Sequence, residues 1–421
     1  MPSAGQLRVA MLSVHTCPLA ALGAKETGGM NVYVRELSRE LARMNVEVDV
    51  FTRSQNAAIP RVVELAEGAR VVHLPAGPEA PMPRVQVHEH LDEFLAGVEA
   101  WRITQAVEYD LIHAHYWLSG AVALALRERW TVPVVQMFHT LGRLKNGVAR
   151  TPEEREPALR IAEEARIAAA ADRIVAASQM ERHHLVGHHA TDASRVAVVP
   201  CGVDTDLFRP GAGAEARAAL GLDGRAVVLY VGRIAPIKGL DTLLDAVARL
   251  RDGGRALRLI IVGGDADEPL DGHEAELRRR VERLRLGDAV RFVGAQPQAT
   301  LRAYYVAADV TVLPSYYESF GMVALEAMAC ASPVVASRVG GLATTVRDGV
   351  TGFLVPDGDV AALAARLDAV LSDPDLGWRL GREGVRWAAG HRWPCVAEAI
   401  CREYARMVPD ARTHLASARC V

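Results

Sequence analysis

The sequence predicts an α/β protein made of two parallel-sheet domains that face a central cleft, and three observations carry that expectation. Short apolar runs alternate with longer stretches of helical periodicity, which is the pattern left by βαβ units. The series occurs twice, once on each side of a stretch rich in Gly, Pro and Asp. With 421 residues, half of them apolar, the chain is long enough for about two domains, each with its own core.

In the first half, "LRVAMLSV" reads as a strand, followed by a glycine loop, the amphipathic "NVYVRELSRELARMN" and the strand "EVDVFTR". Further strands follow at "ARVVHLPAG", "YDLIHAHY", "VPVVQMFHT", "ADRIVAAS" and "RVAVVPCG". In the second half the runs are "RAVVLYVGR", "LRLIIVGG", "AVRFVGA", "DVTVLPS", "PVVAS" and "GFLVP", again separated by helical patterns. Residues 1–202 and 223–392 are thus expected to be Rossmann-like domains, and 203–222 a linker with one small helix. A terminal helix from Trp393, within 393–421, is expected to pack back on the first domain. Ligands of such sheets bind beyond the carboxyl ends of the strands, where the strand order reverses.

The bulk numbers exclude some roles. A net charge of -3 lacks the basic excess of a protein built to hold nucleic acid. The opening "MPSAGQLRVAMLSVHTC" reads as a first strand rather than a signal peptide, and no apolar run approaches the roughly 18 residues of a membrane span. A cytoplasmic protein with small-molecule partners is expected, with its six scattered cysteines as free thiols. Arg35, Arg39 and Arg43 interleave with Glu36 and Glu40, which suits an ion-paired helix face better than a membrane-facing stripe. His183, His184, His188 and His189 are expected in a polar loop, and Asp204 and Asp206 in a turn. His113 and His115 share one face of a strand, without a third group to complete a metal set.

Four stretches carry chemistry. In "VGRIAPIKG", Gly232 frees backbone N–H groups after a strand, while Arg233 and Lys238 can straddle an anion such as a diphosphate. Lys25, Lys145 and Lys238 are the only lysines in an arginine-rich chain, and a compact charge on a flexible stem can follow a leaving group. In "PSYYESFGMVALEAMA", Ser319 is expected to cap a helix starting near Phe320, with Glu318 at its mouth and Glu326 two turns in. The N–H groups of Phe320, Gly321 and Met322 would then face a phosphate or sugar hydroxyls. In "KETGGMNVYVREL", Gly28 and Gly29 allow close approach of backbone to phosphate, and Asn31 can cap the helix or touch a ligand. In "FHTLGRLKNG", His139 and Thr140 end a strand and are placed to meet a substrate hydroxyl.

Taken together and in this order, "LSVHTCPLA", "GGMNVYVREL", "DLIHAHYWLSG", "HTLGRLKN" and "PSYYESFGMVALEA" resemble the retaining GT-B glycosyltransferases. The match is to the branch that holds mycothiol-pathway inositol-phosphate glycosyltransferases and sucrose-phosphate synthases. The resemblance implies that Arg233 and Lys238 hold the donor diphosphate and that Glu326 binds the ribose. Glu318 and the amides of Phe320, Gly321 and Met322 would hold the donor sugar, with Gly28 and Gly29 beside the diphosphate and His139 at the reacting face. Asn31, Tyr116, Thr140 and Arg160 match the acceptor-binding positions. Where the family reads lysine, Arg84 stands in "AGPEAPMPRVQV".

The expected activity is transfer, with retention, from a nucleoside diphosphate sugar to a small, phosphorylated, hydroxylated acceptor such as an inositol or sugar phosphate. UDP is the expected nucleotide, with GDP open. No cofactor or essential metal is expected, and relatives of this kind often dimerise, so a homodimer is one expectation. The alternatives are a secondary-metabolism enzyme acting on an unphosphorylated aminocyclitol or thiol, and a catalytically silent nucleotide-sugar-binding protein. A Rossmann oxidoreductase would need G-x-G-x-x-G after the first strand, which is absent there.

Overall fold

The computed structural model describes residues 6–20, 28–189, 191–264 and 272–408. Described residues up to 20, 29–200 and from 393 on form one compact unit; Gly28 and 201–392 form the other. Residues 203–222, expected as a linker, thus group with the second unit, where they contain the short helix Gly213–Ala219.

The first unit holds an eight-stranded sheet in the order β3-β4-β2-β1-β5-β6-β7-β8. Its strands are β1 Arg8–Leu12, β2 Glu47–Arg53, β3 Val62–Ala66, β4 Ala69–Leu74, β5 Leu111–His115, β6 Val134–Met137, β7 Arg173–Ala176 and β8 Val196–Val198. All neighbours pair in parallel except β3, which runs antiparallel to β4. The sequence reading missed β3: its residues are only partly buried, so "VVELA" lacks the all-apolar look of the central strands. β1 reads as a near-continuous apolar run and is almost wholly buried, as the central strands of parallel sheets are. Leu12, Phe51, Ile112, Trp117 and Ile167 meet in the resulting core.

The terminal helix Trp393–Met407 belongs to this unit, and its Tyr404 hydroxyl lies 2.7 Å from Nδ1 of His113 on β5. On the helix Gly29–Arg43, Arg35 and Arg39 pair with Glu36, and Arg43 pairs with Glu40. His183, His184 and His188 lie on the helix Gln179–His188 rather than in a loop, because Ser178 caps it by accepting the Glu181 N–H at 3.2 Å.

The second unit holds six strands: β9 Ala226–Val231, β10 Leu257–Val262, β11 Val290–Gly294, β12 Val310–Leu313, β13 Val334–Ser337 and β14 Gly352–Val355. They pair in parallel in the order β11-β10-β9-β12-β13-β14. Val228, Leu243, Leu259, Ile261, Val312 and Leu367 form its core. Each sheet has one reversal point at its centre, β1/β5 in the first and β9/β12 in the second.

No helix among the described residues is long and apolar enough to cross a membrane. Cys17, Cys201, Cys330 and Cys401 are free thiols. Cys395 is disulfide-bonded, against expectation, because sequence spacing does not reveal which sulfurs meet in space. Cys420 lies outside the described residues.

Candidate active site

In the second unit the loops after β9 and β12 are tied together. The Tyr316 N–H donates to the Ile237 carbonyl at 2.9 Å. Gly239, at φ 68°, closes the turn Pro236–Lys238; a Cβ there would come 2.0 Å from the Pro314 carbonyl oxygen, so no other residue fits. This junction sets Lys238 beside Glu318, with Nζ 2.5 Å from Oε2 and both side chains partly exposed. Arg233 leaves the end of β9 exposed, and its carbonyl accepts the Tyr230 hydroxyl at 2.8 Å. A cation at the surface and a second one in a carboxylate-paired pocket, both at one strand reversal, suit a bound diphosphate.

The helix after Glu318 departs from expectation. It runs Met322–Ala329, and its N-cap is Gly321 at φ 86°, not Ser319. Ser319 instead turns its hydroxyl to Tyr317, because the left-handed turn that the glycine permits places the helix start two residues later. Glu326 is therefore one turn in rather than two. No described hydrogen bond uses the N–H of Phe320, Gly321 or Met322. Glu326 is only 7 % exposed and its Oε2 accepts the Tyr305 hydroxyl at 2.7 Å. Burial pushes its carboxyl up to about 7, opposed by the hydrogen bonds from Tyr305 and Gln298.

In the first unit the segments after β1, β4, β5 and β6 build a cationic cluster. Tyr116 follows β5 directly at φ 76°, 3 % exposed, with the His15 ring 4.4 Å away. Arg84 donates to the Tyr116 hydroxyl at 3.0 Å, and the Arg160 guanidinium stacks 4.7 Å above its ring. Arg160, 1 % exposed, donates through Nη2 to the Thr140 hydroxyl at 2.9 Å and carbonyl at 2.8 Å. Its Nε meets the wholly buried Glu164 at 2.6 Å. All four predicted residues Arg84, Tyr116, Thr140 and Arg160 thus come together.

Sequence reasoning missed Lys145 and Glu156 as members of this cluster: Lys145 Nζ is hydrogen-bonded to Glu156, which also lies 3.0 Å from Arg160 Nη1. Lys145 carried a usable signal, being one of three lysines in the chain. Despite burial, Arg160, Lys145 and Arg84 hold the Glu156 carboxyl down at about 2, so it is ionised.

Asn31 does not cap its helix. It is buried in the first turn, where its amide donates to the Thr16 hydroxyl at 2.7 Å and the Cys17 carbonyl at 2.6 Å. Gly29 opens the same helix and Gly28 precedes it. His139, at φ 60°, sits just past β6 with its Nε2 2.9 Å from Nδ1 of His115. The His113 and His115 rings lie tilted with centroids 4.3 Å apart, and burial draws His113 and His139 down to about 3, so these imidazoles are neutral.

Two sequence families match this geometry, one for each sheet. Residues 27–207 match Glycosyltransferase Family 4, and residues 214–387 match Glycosyl transferases group 1. A D-inositol 3-phosphate glycosyltransferase 2 of Catenulispora acidiphila is 43% identical over 414 residues, covering 96% of this chain and 96% of that protein. The chain belongs to the GT-B glycosyltransferases. A D-inositol 3-phosphate glycosyltransferase of Streptomyces scabiei is 44% identical to this GT-B enzyme over 97% of the chain and 93% of the relative. Among solved structures, the sucrose-phosphate synthase of Thermosynechococcus elongatus superposes with a TM-score of 0.88 at 37% identity, covering 95% of this chain and 98% of the other. In this GT-B glycosyltransferase the Lys238–Glu318 pair thus stands on the C-terminal sheet and the cationic cluster on the N-terminal sheet.

Proposed function

We propose that the enzyme transfers a hexose unit, with retention, from UDP-sugar to a small polyol that carries a phosphate ester, of the inositol-phosphate or sugar-phosphate type. The observation that carries this reading is the gathering of Arg84, Lys145 and Arg160 around Tyr116 and Thr140. Three cations against the two carboxylates Glu156 and Glu164 leave the pocket with an excess of positive charge, which favours a phosphate dianion over a neutral acceptor. The relatives' names, D-inositol 3-phosphate glycosyltransferase and sucrose-phosphate synthase, both carry a phosphate ester and support the same reading.

In the reaction the bond from the anomeric carbon to the diphosphate oxygen breaks, and a bond to an acceptor hydroxyl oxygen forms on the same face. The hydroxyl proton leaves with the diphosphate. Arg233 and Lys238 stabilise the charge that develops on the leaving diphosphate. Glu318 pairs with Lys238 in the free enzyme and, with the amides of Phe320 to Met322, takes the donor sugar's hydroxyls. Glu326 accepts from the ribose hydroxyls. His139, neutral and oriented by His115, meets the sugar near its reacting carbon. The same protein charges do the work that a metal does elsewhere, so activity should persist in EDTA.

The test is calorimetric titration with UDP and GDP, followed by mass spectrometry of a donor panel with phosphorylated and plain acceptors and anomeric NMR of the product. Binding of neither nucleotide refutes the donor half of the reading, turnover indifferent to acceptor phosphate refutes the acceptor half, and an inverted product refutes retention.

A further inference from the structure

Two carboxylates face the three cations of the acceptor cluster, and they are held in different ways. Glu164 belongs to the framework: it is wholly buried, accepts from Arg160 Nε at 2.6 Å and takes the Gly142 N–H at 2.8 Å. Glu156 is framework only through its backbone. Its N–H donates to Asn146 Oδ1 at 2.6 Å and its carbonyl accepts from Asn146 Nδ2 at 3.1 Å, which clamps the peptide beside Pro157. Its carboxylate reaches Lys145 and Arg160 Nη1, and its side chain is 11% exposed, unlike that of the wholly buried Glu164.

Arg160 Nη1 is the telling atom. It is buried, lies 3.0 Å from Glu156 at ion-pair range, and makes no hydrogen bond of good geometry among the described residues. The other nitrogens of this guanidinium are well satisfied: Nε by Glu164 and Nη2 by Thr140. Among the described residues Glu156 is thus the one group that meets the charge of this nitrogen, without the directed hydrogen bonds that fix the other two.

We propose that Glu156 is a built-in competitor for the acceptor's phosphate. In the free enzyme its carboxylate occupies the seat formed by Lys145 and Arg160, with Arg84 close by, and an anionic acceptor displaces it. This rests on the phosphorylated-acceptor reading above and adds how that site selects. Anion replaces anion, so the three cations never stand buried and uncompensated. A neutral hydroxyl cannot break the Lys145–Glu156–Arg160 ion pairs, whereas a phosphate dianion gains more from the same donors than a monoanionic carboxylate does. The discrimination against unphosphorylated polyols is then set by an opposing group as well as by attractive ones.

The experiment is calorimetric titration of the full chain with inorganic phosphate, comparing wild type, Glu156→Gln, Glu156→Asp and Arg84→Ala. Glu156→Gln should tighten phosphate binding about five- to thirtyfold, the range expected from removing a partly buried competing ion pair. Glu156→Asp, one methylene too short to reach both cations, should tighten it by an intermediate factor. UDP affinity and the near-ultraviolet circular dichroism should stay unchanged. Phosphate binding that is unchanged or weaker in folded Glu156→Gln overturns the proposal; if that variant does not fold, the same outcome in Glu156→Asp does so. Wild-type binding that falls in Arg84→Ala but ignores both Glu156 changes overturns this inference alone. No phosphate binding by any of the proteins overturns the phosphorylated-acceptor reading with it.

Discussion

Replacing Lys238 by Met tests the donor half of the site most directly. A charge about 4 Å from a departing diphosphate oxygen stabilises it by about 4 kcal/mol at the effective dielectric of a partly buried site. Lys238 must leave Glu318, 2.5 Å away in the free enzyme, to act on the diphosphate. Giving up a partly exposed pair of this kind costs about 1 kcal/mol. The net transition-state contribution is then about 3 kcal/mol, a factor of about 150 in kcat. Ground-state phosphate keeps Arg233 and the helix-mouth amides, so the donor Kd should move by less than about fivefold, as expected when an interaction strengthens mainly in the transition state. Lys238→Arg keeps the charge but not the compact, mobile head, and should lower kcat by about tenfold with little change in donor affinity. The assay is steady-state transfer with saturating acceptor, paired with UDP calorimetry on each variant. A Lys238→Met enzyme that keeps kcat within threefold, or loses activity through KM alone, would show that Lys238 is only a structural partner of Glu318.

Three further outcomes follow from the geometry. Arg84→Ala, which removes a half-buried guanidinium from the Tyr116 hydroxyl, should raise KM for a phosphorylated acceptor by about 10- to 100-fold and leave a plain polyol unaffected, read by initial rates. If Glu326, which holds its proton up to about 7, accepts the ribose hydroxyls as proposed, UDP-sugar affinity should rise with pH from about 6 to about 8 as its carboxylate forms, a slope that Glu326→Gln abolishes in calorimetry. Between pH 4.5 and about 7 the native state binds a proton that the unfolded chain has released; this stability, about 3 kcal/mol, is present below the ordinary value of 4.5 and lost as pH rises through 7. Gly239→Ala forces a side chain into a φ of 68° against the Pro314 carbonyl, and should cost about 2–4 kcal/mol, or about 5–10 °C in thermal melts.

Much of this enzyme was legible from its sequence. Alternating apolar runs and helical periods follow from burial on both faces of a parallel sheet, so the strands from β4 to β14 and both domains could be read directly. Only β3 escaped, because an edge strand needs no continuous apolar run. Arg233, Lys238, Glu318 and Glu326 stood out because charged residues beside glycine turns or within apolar runs are expensive without a purpose.

What only the tertiary structure decided is how those residues combine. Sequence separation hides the 80-residue step from Lys238 to Glu318, which the β9/β12 reversal closes to a hydrogen bond. It also hides the 20-residue step from Thr140 to Arg160. Ser319 looked like a helix cap because local preference favours serine there, yet the glycine's left-handed backbone moved the start to Met322. Lys145 and Glu156 acquired meaning only when folding brought them to Arg160. A sequence records which charges and which backbone freedoms the chain has; which charge meets which is set by where the strands change order.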